Sequence, residues 1–458
     1  MQNFMNPNSV ALIGISRRSG PGAFNLMENM IAFGYGGKIY PVNPNSTEIL
    51  GQKAYPNVKA VKKKIDLAVI SAPREMTVNI LKDCVAAKIK AAIVVNQGFT
   101  DADQHGKQMQ QQMTDIAASN GIRILGPNTL GVINSFDNFT TSFMPVTKDR
   151  VPVGLICQSG IHLVGPNMFS GKIGKAVDLG NACDVGFYDA LKYLGRDPEI
   201  KIIAIHMEGM NQGRDFLTLA GRIVKEKPIV VHKSGSSKTG ARAAMSHTGS
   251  MAGNYQVVKA GLKQVGVTFL EEGGKMLHAV KTLLHLPPME GNRVGVITYS
   301  GGAGIMVSDG MEKQGLQLAD FSSQTIDQLA ALSPGWMPLG NPLDIWPAVM
   351  LNSAHKVYSA ALKAVLNDPA VDGVICIAIA PLPEFSFLDV SEALNQVLEE
   401  SPARKPVIAW TYGPNTREVT KRFESKNRMM VFPTLEIATW ALSLLRDRHR
   451  MIKQKTEP

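Results

Sequence analysis

The chain has little of what marks secreted, membrane-spanning or metal-dependent proteins. Its four cysteines, Cys84, Cys157, Cys183 and Cys376, have neither paired nor metal-ligating spacing, which excludes a disulfide framework and a zinc module. No apolar run reaches the roughly 18 residues that span a bilayer, and the first residues lack the charged and apolar regions of a signal peptide. We therefore predict a cytoplasmic protein with no membrane contact and no bound metal.

Charged residues make up only 19% of the chain, yet the formal net charge is +10. Such an excess is compatible with nucleic-acid binding, but no aromatic-rich basic module accompanies it. Much of the excess lies in local runs, Lys62–Lys64 and the tail 446–455, which predict solvated surface. The charge therefore favours a polyanionic small molecule, such as a nucleotide, coenzyme A or phosphate, and no nucleic acid.

Apolar runs of strand length alternate with helical patterns, which is typical of parallel sheets with crossover helices. For 458 residues the usual domain size predicts about three domains. The second and third blocks open alike, with VGLICQSG and VGVITYSGG, which indicates two copies of one flavodoxin-like unit. Strands are expected at 10–15, 38–42, 67–71, 91–96 and 122–125, then at 153–157, 176–179, 202–206 and 229–231, and finally at 294–298, 373–379 and 407–410.

The segment KPIVVHKSGSSKTGARAAMSHTGSMAG, residues 227–253, carries the sharpest chemical signal. A predicted strand leads into Lys233, Ser234 and Gly235, whose loop offers backbone N–H groups and a cation to an anion. Downstream, His247 lies in a predicted Ser-His-Thr-Gly turn. Neutral imidazole can attack phosphorus, and Glu208, at the end of the preceding strand, could fix its tautomer. From spacing alone, a polar turn residue remains the alternative for His247.

A second glycine-rich turn follows the first strand and opens a helix. Backbone amides and a helix N-terminus favour phosphate there, with two arginines adding charge, although the spacing is not the dinucleotide fingerprint. Further loops follow the next strands, at the edge where open α/β sheets bind ligands. An ordinary tight turn remains the alternative for each loop. The residues concerned are Gly14, Ser16, Arg17, Arg18, Gly20, Asn43, Pro73, Gln97 and Gly98.

The segment SHTGSMAG, preceded by the KSG loop and by AIHMEGM, resembles the phosphohistidine segment of the NDP-forming acyl-CoA synthetases, relatives of succinyl-CoA synthetase. The whole pattern resembles the α subunit of the ADP-forming branch over nearly its full length. This resemblance implies an α/β chain with a Rossmann-like coenzyme A domain (1–147) and two flavodoxin-like, succinyl-CoA-synthetase-like parallel-sheet domains (148–288 and 289–458).

By the same resemblance, His247 is the phosphorylated histidine and Glu208 its supporting carboxylate. The glycine-rich turn and the strand-end loops named above are then the coenzyme A site. Phosphate or acyl binding falls to Ser159, Gly160, Lys233, Ser234, Gly235 and Asn181. In this family a helix beginning after Ser159 would direct its dipole at the phosphoryl group.

The sequence departs from the family pattern at several turns. Asn96-Gln97-Gly98-Phe99 stands where Ser-Ala-Gly-Phe is usual, followed by Thr100 and Asp101 rather than a glutamate two residues on. Thr129 replaces the usual cysteine of the Gly-Pro-Asn turn, and Cys157 and Ile161 flank the Gln-Ser-Gly turn. We expect altered coenzyme contacts at the first position and an altered acyl pocket at the last.

No ATP-grasp pattern is evident, so the resemblance implies a hetero-oligomer, such as α2β2, in which an ATP-grasp β subunit holds Mg-ATP or Mg-ADP. The predicted reaction interconverts acyl-CoA, ADP and phosphate with carboxylic acid, coenzyme A and ATP. Two alternatives remain: a coenzyme A-binding regulatory module without turnover, and a Rossmann oxidoreductase. Against the latter, the second strand ends in Val42-Asn43-Pro44, without the acidic residue that binds ribose.

Overall fold

The computed structural model of the protein describes residues 1–20, 22–248 and 254–454, without the side chains of 245–248 and 454. The chain forms two compact units, Met1–Leu277 and His278–Pro458. Among the helices described, none is long and apolar enough to cross a membrane.

The first unit begins with a parallel sheet. Its strands are β1 (Ser9–Ile13), β2 (Lys38–Val42), β5 (Leu67–Ile70), β6 (Ala91–Val94) and β7 (Arg123–Leu125), with a hairpin of β3 (Glu48–Ile49) and β4 (Gln52–Lys53) apart from it. The helices are α1 (Gln2–Met5), α2 (Leu26–Phe33), α3 (Arg74–Ala86) and α4 (Gln104–Asn120). The strand order is β2-β1-β5-β6-β7. Every residue of β1, β5 and β6 is buried, because helices cover both faces of a parallel sheet.

A seven-stranded sheet follows in the same unit. The two strands of this sheet that come first in sequence lie together at one side of it. Its strands are β8 (Val132–Asn134), β9 (Phe139–Thr140), β10 (Val153–Cys157), β11 (Lys175–Asp178), β12 (Ile202–Met207), β13 (Ile229–Lys233) and β14 (Thr268–Leu270). The order is β14-β13-β12-β10-β11-β8-β9. The helices are α5 (Ile161–Val164), α6 (Pro166–Phe169), α7 (Phe187–Arg196), α8 (Gly213–Ile223), α9 (Lys238–Thr248) and α10 (Tyr255–Gln264). The next helix, α11 (Met276–His285), contains the division between the two units and belongs mostly to the second.

The second unit contains a third parallel sheet. Its strands are β15 (Arg293–Thr298), β16 (Gln317–Leu318), β17 (Leu343–Asp344), β18 (Gly373–Ile379), β19 (Val407–Tyr412) and β20 (Met429–Phe432). The order is β16-β15-β18-β19-β20, with β17 paired to β15. The helices are α12 (Gly301–Lys313), α13 (Ser323–Ala330), α14 (Trp346–Leu351), α15 (Ala354–Asn367), α16 (Ser391–Glu400), α17 (Thr416–Glu424) and α18 (Leu435–Gln454). Tyr358 lies at its core, donating its hydroxyl to the Ile297 and Ile377 carbonyls at 2.9 and 3.1 Å.

The α/β class and the parallel sheets predicted from the sequence are confirmed, with one difference. The second sheet is mixed, because β8 runs antiparallel to both β9 and β11. These strands are only three and two residues long, too short for an alternating pattern to identify them.

Candidate active site

Three loops at the carboxyl ends of β10, β12 and β13 are tied together around Glu208. The backbone N–H groups of Glu208 and Gly209 donate to Gln158 Oε1 at 2.8 and 3.0 Å. From the other side, Lys233 Nζ donates to the Glu208 carbonyl at 2.8 Å and to the Ser234 carbonyl at 3.2 Å. Glu208 is only 7% exposed. Hydrogen bonds from the two neighbouring strands therefore fix the Glu208 backbone and, with it, the starting position of the side chain that carries the carboxylate.

Lys233 is one of the most deeply buried cations in the described chain, at 2% exposure. Burial lowers the pKa of its ammonium group, and the nearby Glu208 charge opposes that shift. Because its hydrogen bonds go to two carbonyl oxygens, the ammonium both holds the loops and leaves positive charge beneath them.

The loop after β13 turns sharply and leads into α9. The Ser234 N–H donates to the Met207 carbonyl at 2.8 Å, and Ser234 Oγ lies 2.8 Å from His206 Nε2. Gly235 has a φ of +79°, in the left-handed region that a side chain would strain. Ser234 and Gly235, predicted as phosphate ligands, are thus placed beside Lys233.

Helix α9 extends through Thr248, so the backbone of His247 lies in its last turn rather than in the tight turn predicted from the sequence. The His247 side chain and residues 249–253, which complete the SHTGSMAG motif, lie outside the described residues. The helix begins three residues after Gly235, which places the motif downstream of the KSG loop along one continuous element.

The helix predicted after Ser159 and Gly160 is shorter than expected. Four residues, Ile161–Val164, form α5, and the chain breaks at Gly165 before the equally short α6. The break follows from Pro166, which has no N–H and disfavours the α conformation in the residue before it. A helix does begin after Ser159 and Gly160, as predicted, but it has only about one turn; both residues lie just past the carboxyl end of β10, next to Gln158.

Asn181 connects the second sheet to the first. Its amide nitrogen donates to Asp101 Oδ1 at 2.8 Å and to Thr100 Oγ1 and Gln110 Oε1 at 3.2 Å. Its buried Oδ1 has no hydrogen-bond partner among the described residues. Asn181 also lines a cavity of about 120 Å³ together with Gln158 and Gly209. The cavity is thus bordered by Asn181, whose oxygen has no partner among the described residues, and by Gly209 of the loop that follows Glu208.

Asp101, at the position where the sequence departs from the family pattern, acts as a local cap. It accepts from the Gly98 and Phe99 N–H groups at 2.9 and 3.0 Å. Although burial favours the neutral carboxyl, hydrogen bonds from Gly98 and Asn181 hold the pKa of Asp101 below its usual value. The Gln97-Gly98 loop is thereby fixed, and its Gly98 carbonyl accepts from Arg74 Nη1 at 2.7 Å.

A cavity of about 480 Å³ lies at the carboxyl ends of β1, β2 and β5. Of the predicted coenzyme residues, Gly14, Asn43 and Pro73 line it. Gly14 has a φ of +80°, and a Cβ there would lie 2.7 Å from Ala72 Cα, so only glycine fits. Apolar side chains and asparagine amides form most of the wall, with the carboxyl groups of Glu75 and Asp83, a mixture suited to the N–H donors of an adenine or pantetheine group rather than to its phosphates.

The other predicted coenzyme residues are not among those that line this cavity. Arg17 reaches its rim, donating from Nη1 to the Asn45 carbonyl at 3.2 Å, while Arg18 N–H donates to Ser16 Oγ at 3.0 Å. The Gly20 N–H is taken by the Glu28 carboxylate at 2.9 Å. Asn25 caps α2 by accepting from two of its first N–H groups. The helix N-terminus therefore already has a side-chain acceptor.

A buried carboxyl group near Glu208 was not predicted from the sequence. Asp178, at the end of β11, is 1% exposed and accepts from the Leu130 N–H at 2.8 Å and the Gly180 N–H at 3.3 Å. Burial raises the pKa of Asp178 to about 6, and the hydrogen bonds from Leu130 and Gly180 limit the rise. No spacing signal identifies it, because its partners come from distant turns.

The sequence also missed a row of three histidines across the second sheet. The ring centroids of His162 and His206 lie 4.1 Å apart in a stacked arrangement, and those of His206 and His232 lie 6.1 Å apart. Phe169 packs on His162 with a centroid distance of 4.3 Å. A signal was present: the segments IHMEG (205–209) and VHKSG (231–235) align, and β12 and β13 pair His206 with His232.

We expect His162 to make the stability of the protein fall in mild acid. Burial, followed by the His232 charge, lowers the pKa of His162 to about 4, whereas an unfolded histidine titrates near 6.5. As the pH falls from 6.5 towards 4, the unfolded chain binds a proton at this histidine and the folded chain does not. The free energy of unfolding therefore falls by about 3 kcal/mol over this range. We expect the free energy of unfolding, measured with denaturant, to fall less between pH 7 and pH 4.5 in His162→Phe than in the wild type.

His105→Phe is the matched control, since His105 is an exposed histidine on α4. It should retain the wild-type pH dependence. A His162→Phe variant with the same acid sensitivity as the wild type would show that this ring is not held neutral by burial.

The titratable side chains also bear on metal binding. Among the described residues, no group of three or more histidine, cysteine, aspartate or glutamate side chains is arranged to hold a metal ion. The stacked histidine rings contact one another face to face rather than directing nitrogen atoms at a common point. Lone pairs that do not converge cannot share an ion.

Two family models match the chain. A CoA binding domain matches residues 8–135, and a succinyl-CoA ligase like flavodoxin domain matches residues 150–283. These ranges contain the 480 Å³ cavity and the Glu208–Lys233 site, respectively.

Several relatives are ADP-forming acetate–CoA ligases. The chain is 33% identical over 453 residues to the α subunit of ligase II from Pyrococcus furiosus, covering 97% of both proteins. It is 38% identical over 383 residues to ligase II of Archaeoglobus fulgidus, covering 82% of this chain and 56% of that protein, so it spans about half of the latter's length.

A solved structure gives the same picture. The dinucleotide-forming acetyl-coenzyme A synthetase 1 of Candidatus Korarchaeum cryptofilum, in complex with phosphate and ADP, is 30% identical, with a TM-score of 0.87. The match covers 100% of this chain and 99% of that one.

Proposed function

The chain belongs to the family of ADP-forming acetate–CoA ligases, matching their α subunits over nearly the whole length, and on this premise we propose that it acts as the α subunit of an ADP-forming acyl-CoA synthetase. The reaction interconverts acyl-CoA, ADP and phosphate with carboxylic acid, coenzyme A and ATP. One observation carries the proposal: loops from three adjacent strands fix Glu208, Lys233 and Ser234 directly before the helix that contains His247.

The proposed route uses His247 as a carrier. Phosphate oxygen attacks the thioester carbonyl, the C–S bond breaks, and the thiol leaves with a proton while an acyl phosphate forms. The His247 imidazole then attacks phosphorus, and the carboxylate departs as the P–O bond breaks. Finally ADP oxygen takes the phosphoryl group from the P–N bond. Imidazole suits each transfer because it is both a good nucleophile and a good leaving group.

Glu208 is proposed to orient His247 and to stabilise its charge when nitrogen bonds to phosphorus. Its backbone is fixed by Gln158 and Lys233, so the carboxylate starts from a preorganised position. The Lys233 ammonium and the Ser234-Gly235 turn supply positive charge and N–H groups for the phosphoryl oxygens. Ser159 and Gly160 at the end of β10 are proposed to complete the phosphate and acyl site.

Asn181 is proposed to contribute from the opposite wall. Asn181 lines the cavity that Gln158 also lines, and its buried Oδ1, which has no hydrogen-bond partner among the described residues, is the acceptor we propose for a bound group. Because its nitrogen is tied to Asp101, the acceptor is held in one orientation. That orientation favours a donor such as a protonated carboxylic acid or a pantetheine amide.

Coenzyme A is proposed to occupy the cavity lined by Gly14, Asn43 and Pro73, with Arg17 at its rim and the neighbouring Arg18 meeting the phosphates. The mixture of apolar and amide groups in the wall fits the adenine and pantetheine parts, and the guanidinium groups fit phosphate. When bound, the coenzyme supplies a thiol that forms and releases the thioester. The strand-end residues Gln97 and Gly98 are proposed to border the path towards Asn181.

Calorimetry on the full chain tests this assignment. Replacing both arginines of the glycine-rich turn, Arg17→Gln and Arg18→Gln, should weaken coenzyme A binding about tenfold and reduce its salt dependence, since about 1.4 kcal/mol of screened phosphate contact is lost. The matched control, Lys62→Gln with Lys63→Gln, removes the same charge from an exposed run and should bind like the wild type. NAD binding as tight as that of coenzyme A would instead favour an oxidoreductase.

The nucleotide is proposed to bind elsewhere. An ATP-grasp β subunit, or the equivalent half of a fused protein, would hold Mg-ATP or Mg-ADP and form a hetero-oligomer such as α2β2. The Archaeoglobus fulgidus relative supports this, because the match covers only 56% of its length and leaves room in that protein for a further half. We place the reaction in the cytoplasm, where acyl-CoA, ADP and phosphate are available together.

A further inference from the structure

The row of histidines lies directly beneath the proposed phosphate loop. His206 and His232 occupy paired positions on β12 and β13, two residues before Glu208 and Ser234. In parallel strands, residues two apart project from the same face, so these four side chains start from one side of the sheet. His162 reaches that face from α5 and stacks on His206.

Both ends of the row are closed. Phe169 covers the outer face of His162, with ring centroids 4.3 Å apart. At the other end, the loop at Gly273 approaches so closely that a Cβ there would lie 3.1 Å from the His232 ring. His232 Nδ1 lies 3.2 Å from the Leu270 carbonyl, which can only accept, so Nδ1 carries the proton. Each ring is therefore held in one orientation by its neighbours.

Packing alone does not account for imidazoles at these positions. His162 and His206 are each only 5% exposed, and burying a polar ring costs more than burying phenylalanine unless its nitrogen atoms are used. His206 uses Nε2, which lies 2.8 Å from Ser234 Oγ. The polar contact of the row is thus directed at the loop that carries the proposed phosphate ligands.

We propose that His206, held between His162 and His232, is a positioning residue that orients the Ser234 hydroxyl towards phosphate. Phosphate oxygens accept hydrogen bonds, so the Ser234 O–H must point at them. Ser234 Oγ must then accept, which requires His206 Nε2 to donate. The row deepens the proposed function and rests on it, because it assigns the phosphate contact of the same site.

Phosphate kinetics of the chain with its ATP-grasp partner give the first test. His206→Phe keeps an aromatic ring in the row but removes the Nε2 donor, and Ser234→Ala removes its acceptor. Each variant should raise KM for phosphate about tenfold, with coenzyme A affinity unchanged. The double variant should be no worse than either single one, because both remove the same hydrogen bond. His206→Gln, whose amide can donate, should recover part of the loss.

His278→Phe, a histidine replacement outside the row, is the control for general effects of the exchange. Additive effects in the double variant, or an unchanged phosphate KM in both single variants, would overturn the positioning role. A wild-type protein with no phosphate-dependent turnover would instead overturn the proposed function.

A measurement independent of turnover separates these failures. In the histidine-labelled full chain, nitrogen–proton correlation spectra should show one Nε2–H signal that disappears in His206→Phe and shifts in Ser234→Ala. If that signal is absent, or does not respond to Ser234→Ala, the proposed hydrogen bond is wrong whatever the activity.

Discussion

Replacing His247 by alanine is expected to abolish phosphoryl transfer to ADP and to remove an acid-labile, base-stable phosphoryl label from the protein. The nucleophile has no substitute in the proposed route, so the rate should fall by roughly 10⁴-fold or more. The measurement incubates the chain and its ATP-grasp partner with radiolabelled ATP and magnesium and follows both the label and ADP phosphorylation. Coenzyme A binding should stay at the wild-type level, since the 480 Å³ cavity lies on the first sheet.

His105→Ala serves as the control, because this exposed histidine lies on α4 in the first domain. It should retain full labelling. Undiminished label in His247→Ala would show that another group carries the phosphoryl moiety, and the assignment of the SHTGSMAG motif would then be wrong.

The 458-residue chain supplied alone is expected not to form acyl-CoA from ATP, acid and coenzyme A. Adding an ATP-grasp β subunit should raise the rate by at least about 10³-fold, because positioned phosphates and magnesium supply most of the catalysis in phosphoryl transfer. Thioester formation, measured by absorbance or chromatography, reports the result. Labelling of His247 from acyl phosphate should still proceed slowly without the partner, since Lys233 and Ser234 are on this chain.

The same mixture with His247→Ala in place of the wild-type chain is the control, and it should remain inactive with the partner present. Rapid ATP-dependent thioester formation by the single chain would place a nucleotide site within it and would contradict the division of labour proposed here.

Much of the fold could be predicted because buried parallel strands are continuous apolar runs. The predicted ranges for β2, β10 and β18 coincide with those observed, and several others differ by one or two residues. The errors have local causes. The short strand β8 is held by pairing with β11, far along the chain, and β9 in turn pairs with β8. The break after α5 depends on Pro166 within an otherwise helical pattern.

Part of the candidate site could also be predicted from the sequence, for a different reason. Glycine-rich turns and the Glu208 and Lys233 positions follow strands, and strand ends converge at one edge of a sheet. The histidine row and Asp178 were missed because their chemistry comes from register and burial. Nothing in the local sequence shows that His206 and His232 face each other until β12 and β13 are paired.

Strands β8 and β9 belong to the second sheet, and this limits where the chain can be cut into separate domains. Both strands lie within the range predicted for the coenzyme domain, yet β8 pairs with β11 and β9 pairs with β8. Asp178 also accepts a hydrogen bond from the N–H of Leu130, just before β8. A truncation within 126–150 would separate β8 and β9 from the second sheet. The edge of β11 would then have unpaired backbone groups. Recombination among such proteins should therefore move the first two domains as one cassette, with gene fusions and separations falling outside residues 1–277.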